Sequence, residues 1–421
     1  MKKLLLYALG MIFLFNSNIF CQSLNKVKFW AYQIQSQDEN NSIQNLVDSK
    51  YELIVIDNPR TVVGKENYDN AADITQLKNS KGWNGENKIV VCYIDIGEVE
   101  DYRYYWKQDW RVGNPDWIVA NDPDGWDGNF PVKYWRQEWK NLMFGSDTSM
   151  IDMILADGYD GIYLDWVEAF EFEPVMNVAS ADGLNSRNEM IKFIEEIAQY
   201  CRTKKPGFLV IPQNATAIIY NENWEPDSLS QKYFNIIDAV AQENIWFDGD
   251  ADPLGQLGDI PEDAGLTLEY ITNLSYFQNA GKPIFTVDYA QIPANVDSCY
   301  RAAKRLEFIE YVSLRQLDKL TDTPPPDYTG VDDNDNNQSI FLYPNPVKDI
   351  LNIRINKDLN YPKLKVLLFD LLGNKILEKD FNQSLQYGGS IGLDIKHLNA
   401  GFYYVQLILN STSSYFKIIK L

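Results

Sequence analysis

The sequence predicts an α/β protein, a (β/α)8 TIM barrel followed by a small all-β sandwich. Eight short apolar runs, rich in β-branched and aromatic residues, recur between residues 27 and 317. Segments with apolar residues at helical spacing lie between most of them, for example at 190–198 and 268–277. After residue 340 the pattern changes to short strands separated by turn residues.

The eight runs are the predicted barrel strands. They lie at 27–34, 51–57, 88–96, 161–167, 208–211, 239–245, 283–289 and 311–317. Strands that alternate with helices form a parallel sheet with right-handed crossovers, and eight such units over about 290 residues fit a closed barrel. A doubly wound open sheet is the alternative. It usually has a glycine-rich loop after its first strand, and residues 31–36 contain no glycine.

Two segments outside the folded domains set the predicted boundaries. Lys2 and Lys3 precede the apolar run 4–15, which has the length of a signal-peptide core and is too short to span a bilayer. We therefore expect a signal peptide at 1–22, the barrel at 23–320 and no membrane insertion after the signal is removed. A run of three prolines and an acidic stretch predict a linker at 321–339. The sandwich then occupies 340–421.

The charge of the chain lies almost entirely in the barrel. The 421 residues include 38 basic and 59 acidic side chains, for a net charge of −21. Residues 340–421 contain ten basic and six acidic residues, which leaves −25 for 1–339, or −27 without the two signal lysines. This balance argues against nucleic acid or an anionic membrane as a partner. It indicates either a solubility device or attraction of a cationic ligand.

Histidine and cysteine chemistry is largely excluded. The one histidine, His397, lies near the C-terminus, which argues against a Ser-His-Asp triad, a Cys-His dyad or a His-ligated zinc site. Carboxylates remain for acid and base catalysis, and we predict no metal and no cofactor. Cys92 lies in an apolar strand and is expected to be a buried thiol. Whether Cys201 and Cys299 form a disulfide stays open, because sequence separation does not give their geometry.

Polar and aromatic side chains collect at the ends of the predicted strands. The carboxyl ends of parallel barrel strands meet on one rim, where massed carboxylates repel unless they bind a ligand or do chemistry. Aromatic faces beside carboxylates commonly hold sugar rings. The candidate substrate-binding residues are therefore Asp57, Tyr93, Asp95, Glu98, Trp126, Trp166, Glu168, Asn214, Trp246, Asp288 and Tyr289.

The segment 160–168 is the most informative single stretch. Period-two alternation turns Tyr163 and Asp165 toward the barrel interior at the end of the fourth strand. A family-18 chitinase would carry an aspartate where Tyr163 stands, and Glu168 comes one residue too late for the acid of that family. The pattern therefore disfavours a chitinase. Glu243 should end the sixth strand and face Asp165 across one pocket.

The barrel resembles glycoside hydrolase family 114, the endo-α-1,4-polygalactosaminidase type. The resemblance rests on four segments between residues 27 and 320, namely 91–98, 114–119, 159–165 and 241–244. It implies hydrolysis of α-1,4-linked galactosamine-containing polysaccharide without a cofactor. It also implies that Asp165 and Glu243 are catalytic. By resemblance to α-acting barrel hydrolases, Asp165 is the expected nucleophile and Glu243 the acid/base, with retention of configuration.

The C-terminal part resembles the sorting domain of the type IX secretion system. The resemblance rests on residues 343–346, 366–370, 398–405 and 417–420. It implies the type IX machinery as a partner and a secreted or cell-surface protein.

Two other functions stay open at this point. A non-catalytic carbohydrate-binding or adhesin barrel would need the acidic rim but no catalytic pair, so the presence of both Asp165 and Glu243 favours an enzyme. A hydrolase of a neutral α-glycan fits the carboxylates equally well. It leaves the −27 charge unexplained.

Overall fold

The computed structural model describes residues 24–39, 41–249, 258–329, 340–344, 346–355, 364–370, 374–381, 390–409 and 412–421. The predicted signal peptide and residues 330–339 of the predicted linker lie outside these residues. The chain divides into two compact units at residue 330. No helix in the described ranges is long and apolar enough to cross a membrane.

The first unit contains the eight predicted parallel strands. They are β1 Trp30–Tyr32, β2 Leu53–Ile56, β3 Ile89–Asp95, β4 Gly161–Asp165, β5 Leu209–Pro212, β6 Val240–Glu243, β7 Ile284–Tyr289 and β8 Ile309–Ser313. Strands β1 to β5 pair in sequence order, and β6, β7 and β8 pair in the same way. The prediction of a (β/α)8 barrel is confirmed.

Two contacts join the two sets of strands. A parallel bridge links Gln213, just after β5, to Ala241 of β6. On the other side, the amides of Ile34 and Gln35 both donate to the carbonyl of Leu317 after β8, at 3.1 and 3.0 Å. These bonds satisfy backbone groups that an open sheet would leave at its edges.

The last strand begins and ends earlier than predicted. It starts at Ile309, which pairs with Phe285 of β7, and ends at Ser313. A turn then forms in which the amide of Leu317 donates to the carbonyl of Leu314 at 3.1 Å. The apolar residues of the sequence continue through this turn, so the sequence pattern does not show where the strand ends.

The helices follow the strands and surround the barrel. They are α1 Ser42–Asp48, α2 Asn70–Asn79, α3 Gln137–Met143, α4 Met150–Asp157, α5 Glu173–Ala181, α6 Ser186–Lys204, α7 Ser228–Ile236, α8 Ala264–Asn279 and α9 Pro293–Leu306. The long connection between β3 and α3 carries an antiparallel pair, Glu98–Glu100 with Asn129–Pro131. A shorter pair, Phe247–Asp248 with Ile260–Pro261, follows β6.

Aromatic rings fill the barrel interior. Trp30 of β1 lies 5.4 Å from the ring of Phe285 and 6.1 Å from those of Tyr163 and Tyr311. The ring of Tyr32 lies 5.1 Å from that of Tyr163, tilted by 37°. This packed layer closes the interior below the strand ends, so the rim above it is the place for a ligand.

Residues 321–329, assigned to the linker by the sequence, pack on the barrel. Tyr328 stacks on Tyr51 at 5.2 Å and contacts the rings of Phe29 and Trp83 at 5.9 and 5.8 Å. The backbone amide of Thr321 donates to the hydroxyl of Tyr311 at 3.1 Å. The proline run therefore does not mark the start of the linker, because a stiff extended segment can also pack on a folded domain.

The described residues of the second unit form seven antiparallel strands in two sheets. One sheet contains β9 Ile340–Tyr343, β10 Ile350–Ile355 and β13 Ser390–Asp394. The other contains β11 Leu364–Phe369, β12 Lys375–Phe381, β14 Gly401–Leu409 and β15 Thr412–Lys420. Buried residues of both sheets, including Leu351, Val366 and Val405, form one apolar core. The predicted small sandwich is confirmed.

Candidate active site

Asp165 ends β4 and faces the barrel interior. The hydroxyl of Tyr93 donates to its Oδ2 at 2.5 Å, and Nε2 of Gln213 donates to its Oδ1 at 2.6 Å. The backbone amide of Trp166 adds a third donor at 2.8 Å. Three donors hold the carboxylate in one orientation while it remains partly exposed to the cleft.

Glu243 ends β6 on the opposite side of the same cleft. Its Oε1 accepts from the hydroxyl of Tyr289 and, at 3.4 Å, from the guanidinium of Arg315. Its Oε2 accepts from Nε2 of Gln213 and Nδ2 of Asn214, each at 3.1 Å. The alternation that turns Asp165 inward on β4 acts in the same way on β6.

The end of β5 joins the two carboxylates. Gln213 Nε2 donates to both Asp165 and Glu243, at 2.6 and 3.1 Å. Those two carboxylate oxygens therefore lie no more than 5.7 Å apart. Asn214 extends the bridge to a third carboxylate, because its Nδ2 also lies 3.3 Å from Oε1 of Glu168.

The chain turns sharply immediately after each of these strands. Trp166, Asn214 and Asn244 follow the ends of β4, β5 and β6 and have φ of 52°, 62° and 55°. Asparagine tolerates this left-handed region, whereas a bulky tryptophan rarely adopts it. Such backbone strain is concentrated at functional sites, where surrounding structure enforces it.

Burial and neighbouring negative charges raise the pKa values of the carboxyl groups in the site. Burial, and then the charge of Glu243, raises the pKa of Asp165 to about 6, although three hydrogen bonds oppose the shift. Burial and the charge of Asp165 raise the pKa of Glu168 well above its usual value. Burial, with Asp122 and Asp165 nearby, raises the pKa of Glu98 to about 10. Carboxyl groups that are partly protonated near neutral pH suit acid and base catalysis.

Several buried polar atoms at this rim have no hydrogen-bond partner within the described residues. They are Oε1 of Glu98, the hydroxyl of Tyr163, Oε2 of Glu168, Oε1 of Gln213 and Nε of Arg315. Buried polar groups in native proteins are nearly always paired. Their grouping beside Asp165 and Glu243 indicates a site that a polar ligand completes.

Arg315 is a site residue that the sequence analysis missed. It follows β8 with the same parity as Tyr311 and Ser313, so its side chain points inward. Its guanidinium lies 5.2 Å from the ring centre of Trp126 and 5.3 Å from that of Tyr289. Arg315 is neither a carboxylate nor an aromatic residue, the two types expected at strand ends, but its position in the last predicted strand would have marked it.

The cleft wall contains two of the predicted tryptophans. Trp126 is about half exposed, at 49%, above Arg315, and Trp166 is 7% exposed with its indole NH 3.4 Å from Asp124. Gly97, two residues after β3, lets the backbone lie against Trp166 in this wall. A Cβ there would stand 2.2 Å from the carbonyl oxygen of Trp166, so any other residue would displace it.

Asp57 and Asp95 lie on the rim but bind the protein itself. Asp57 accepts two bonds from the buried Arg103, at 2.9 and 3.1 Å, and Arg103 also binds Glu100. Asp95 accepts from the amides of Gly97 and Glu98, at 2.9 and 2.8 Å. Each carboxylate thus holds the loop after its strand, and contact of these two residues with substrate stays a prediction.

Asp288 and Trp246 point away from the cleft. Tyr289 faces inward on β7, so its neighbour Asp288 must face outward, where it accepts from the amides of Trp246 and Phe247 at 2.6 and 2.7 Å. Trp246 packs against an apolar cluster that includes Val296 of α9. Asp288 was expected in the site because it ends a strand, and Trp246 because it lies nearby in sequence, but the structure places neither side chain in the cleft.

Tyr289 itself is fully buried, so it orients Glu243 and does not offer a surface to a sugar. Tyr93 is 8% exposed and acts on Asp165 in the same way.

Across the described ranges of the chain, no three His, Cys, Asp or Glu side chains are grouped as metal ligands. Cys201 and Cys299 are buried free thiols, as is Cys92.

Comparison with known proteins identifies the barrel. Residues 21–327 match the glycoside hydrolase family GH114. The chain belongs to this family. A GH114 chain is a glycoside hydrolase, and the resemblance inferred from the four sequence segments is confirmed. Residues 341–421 match the secretion system C-terminal sorting domain, so this GH114 enzyme carries the signal for type IX secretion to the cell surface or beyond.

Relatives of the GH114 chain occur in distant organisms. An uncharacterized protein of Methanocaldococcus jannaschii is 33% identical over 298 residues, covering 70% of this chain and 74% of its own length. An uncharacterized protein of Deinococcus radiodurans is 28% identical over 304 residues, covering 71% of this chain and 84% of its own. The glycoside hydrolase domain of PelA from Pseudomonas aeruginosa is 17% identical with a TM-score of 0.49, covering 70% of this chain and 98% of its own.

Proposed function

We propose that this GH114 enzyme is an endo-acting, retaining hydrolase of α-1,4-linked galactosamine-containing polysaccharide. The observation that carries the mechanism is the bridge through Gln213, which keeps one oxygen of Asp165 within 5.7 Å of one oxygen of Glu243. Retaining glycosidases place their two carboxyl groups about 5 to 5.5 Å apart, whereas inverting ones need roughly 6.5 to 9.5 Å to admit a water.

In the first step a carboxylate oxygen of Asp165 bonds to the anomeric carbon. The bond between that carbon and the leaving oxygen breaks, and Glu243 gives its proton to that oxygen. Tyr289, Arg315 and the two amides then stabilise the new Glu243 carboxylate. In the second step Glu243 takes a proton from water, which attacks the anomeric carbon and frees Asp165.

The acidic cleft supports an amino sugar as the substrate. Glu168 is partly exposed and leaves one oxygen unpartnered beside the catalytic pair. An ammonium group at that place would supply both a hydrogen bond and an opposite charge. The ammonium group would also favour the ionised form of Glu168, which burial and Asp165 disfavour, whereas a neutral glycan would not.

The test is to incubate the enzyme with de-N-acetylated galactosaminogalactan, with chitosan and with starch, and to analyse the products. We expect oligosaccharides from the first polymer alone, and NMR of the initial products should show the α anomer. Asp165→Asn and Glu243→Gln should each lower the rate at least about a thousandfold. Glu195→Gln, which removes a carboxylate paired with Lys232 on the outer surface, is the matched control. Initial β anomer would overturn retention, and wild-type rates in Glu243→Gln would remove its acid/base role.

A further inference from the structure

An aromatic surface lies outside the cleft, on the connection that follows β5. It consists of Tyr220, Trp224 and Tyr276, which we call the Trp224 platform. Trp224 is 74% exposed and Tyr276 38% exposed. The ring of Tyr220 lies 6.0 Å from that of Trp224 and 5.9 Å from that of Tyr276. Exposed aromatic rings in contact with one another are unusual on a soluble protein and mark binding surfaces.

The backbone around Trp224 is built as a rigid turn. The side chain of Asn221 accepts from the amides of Asn223 and Glu225, at 2.8 and 3.2 Å, and the amide of Trp224 donates to the carbonyl of Asn221 at 2.9 Å. Trp224 itself has φ of 58°. A tryptophan in the left-handed region is a conformational outlier that the surrounding bonds must enforce. The turn therefore holds the indole outward.

The helix α8 fixes the other side of the platform. Glu269, Asn273 and Tyr276 recur at helical spacing and so share one face. The hydroxyl of Tyr220 donates to Oδ1 of Asn273 at 2.9 Å. Glu269 is exposed on this face and close enough to Tyr220 to raise its pKa, after the effects of burial and of Tyr276.

The platform is connected to the catalytic cleft by the elements that carry it. Its loop begins at Gln213 and Asn214, which bind the catalytic carboxylates. On α8, the charge of Glu269 acts on Glu171, whose pKa burial and then Glu269 raise to about 7, and the charge of Glu168 is among those that raise the pKa of the neighbouring Tyr270. Carboxylates and aromatic rings thus continue from the cleft to Trp224. The exposed Glu222 and Glu225 flank the indole.

We propose that the Trp224 platform is a second binding site that holds a distal part of a cationic amino-sugar polymer while another part occupies the cleft. The faces of the rings suit sugar rings, and the flanking carboxylates suit ammonium groups. The polymer class rests on the proposed function of the cleft. The site itself is independent of catalysis.

Binding is measured with the full chain carrying Asp165→Asn, so that the polymer stays intact. Co-sedimentation with de-N-acetylated galactosaminogalactan should show an affinity about two- to fivefold lower for Trp224→Ala than for the parent. Trp224→Phe should retain most of the affinity because it keeps an aromatic face. Trp83→Ala is the matched control, since Trp83 is 45% exposed but lies beside Phe29 and Tyr328.

A second measurement uses the wild-type catalytic residues. Trp224→Ala should lower the rate on the long polymer at subsaturating concentration and leave kcat/KM on short oligosaccharides at the parent value. An equal loss on both substrates would overturn the second site, as would an unchanged polymer affinity in Trp224→Ala. If the wild type releases no products and the Asp165→Asn chain still binds in a Trp224-dependent way, the proposed function fails and the second site stands.

Discussion

At the scale of single residues, the two catalytic candidates differ in what surrounds them. Asp165 is held by neutral donors, a phenol, an amide and a backbone NH. Glu243 has in addition the guanidinium of Arg315, which stacks between two aromatic rings. A fixed cation beside Glu243 stabilises the charge that this residue acquires when it gives up its proton.

The pH dependence of the reaction should report the ionisation of Asp165. Burial and the charge of Glu243 raise its pKa to about 6, so the nucleophile becomes protonated, and kcat/KM falls, as the pH drops through about 6. Tyr93→Phe removes a hydrogen bond that opposes this shift. The acidic limb of its pH–rate profile should therefore move to higher pH, and a limb that stays in place would exclude Asp165 as its origin.

Loss of the cation should weaken catalysis without weakening the fold. Arg315→Gln removes a charged hydrogen bond to Glu243, and bonds of this kind are worth about 1.5 to 3 kcal/mol. We expect kcat/KM to fall about ten- to a hundredfold. Arg315→Lys should lose less, because it keeps the charge but not the planar stacking.

Arg136→Gln is the control for this change, since Arg136 pairs with Asp116 and Glu138 away from the cleft. Steady-state kinetics and thermal melting would be compared for all three variants. Equal activity of Arg315→Gln and the wild type would exclude a role for this cation in the reaction.

At the scale of elements, β7 and β8 carry a second pair of carboxyl groups on their outer face. Asp288 and Glu310 are both buried, and each keeps one carboxyl oxygen without a hydrogen-bond partner within the described residues. Burial raises the pKa of Asp288 to about 7, and burial followed by the charge of Asp288 raises the pKa of Glu310. The pair also fixes the loop after β6, since Asp288 accepts from Trp246 and Phe247.

This pair should make the stability of the protein depend on pH. An unfolded aspartate has a pKa of about 3.9, so between about pH 4 and pH 7 the folded chain binds more protons than the unfolded chain. The free energy of unfolding therefore falls as the pH rises through this window. Glu310→Gln removes one carboxyl group and offers an amide donor to Asp288, so its melting temperature should fall less between pH 5 and pH 8.

The matched control is Glu307→Gln, which removes an exposed carboxylate two residues before the same strand. Its melting curve should follow the wild type at every pH. A Glu310→Gln protein that loses as much stability as the wild type over this range would show that the pair does not cause the pH dependence.

At the scale of the whole molecule, the negative charge lies before residue 340. Residues 340–421 carry +4 and the whole chain −21, so residues 1–339 carry −25. The Trp224 platform and the cleft both lie on the acidic unit. A field of this sign raises the local concentration of a cationic polymer and repels an anionic one.

Added salt should therefore weaken the action on a cationic polymer. The screening length is about 30 Å at 0.01 M and about 8 Å at 0.15 M, so the apparent Michaelis constant should rise severalfold between those concentrations. The N-acetylated form of the same polymer is the control, because it carries no ammonium groups and any residual rate on it should not change with salt. A Michaelis constant for the cationic polymer that is indifferent to salt would leave the acidity as a solubility device.

The amino-acid sequence by itself determined the two folds, because strand and helix periodicities are local patterns that survive without tertiary information. The motif ending in Asp165 and the position of Glu243 at the end of a strand were also visible in it. What only the tertiary structure decided is which rim residues meet. Asp288 and Trp246 turn outward, Arg103 takes up Asp57, and Gln213 and Arg315 enter the site. These outcomes depend on which face of its strand each side chain occupies and on hydrogen-bond partners that are distant in sequence. A position at the end of a strand specifies neither.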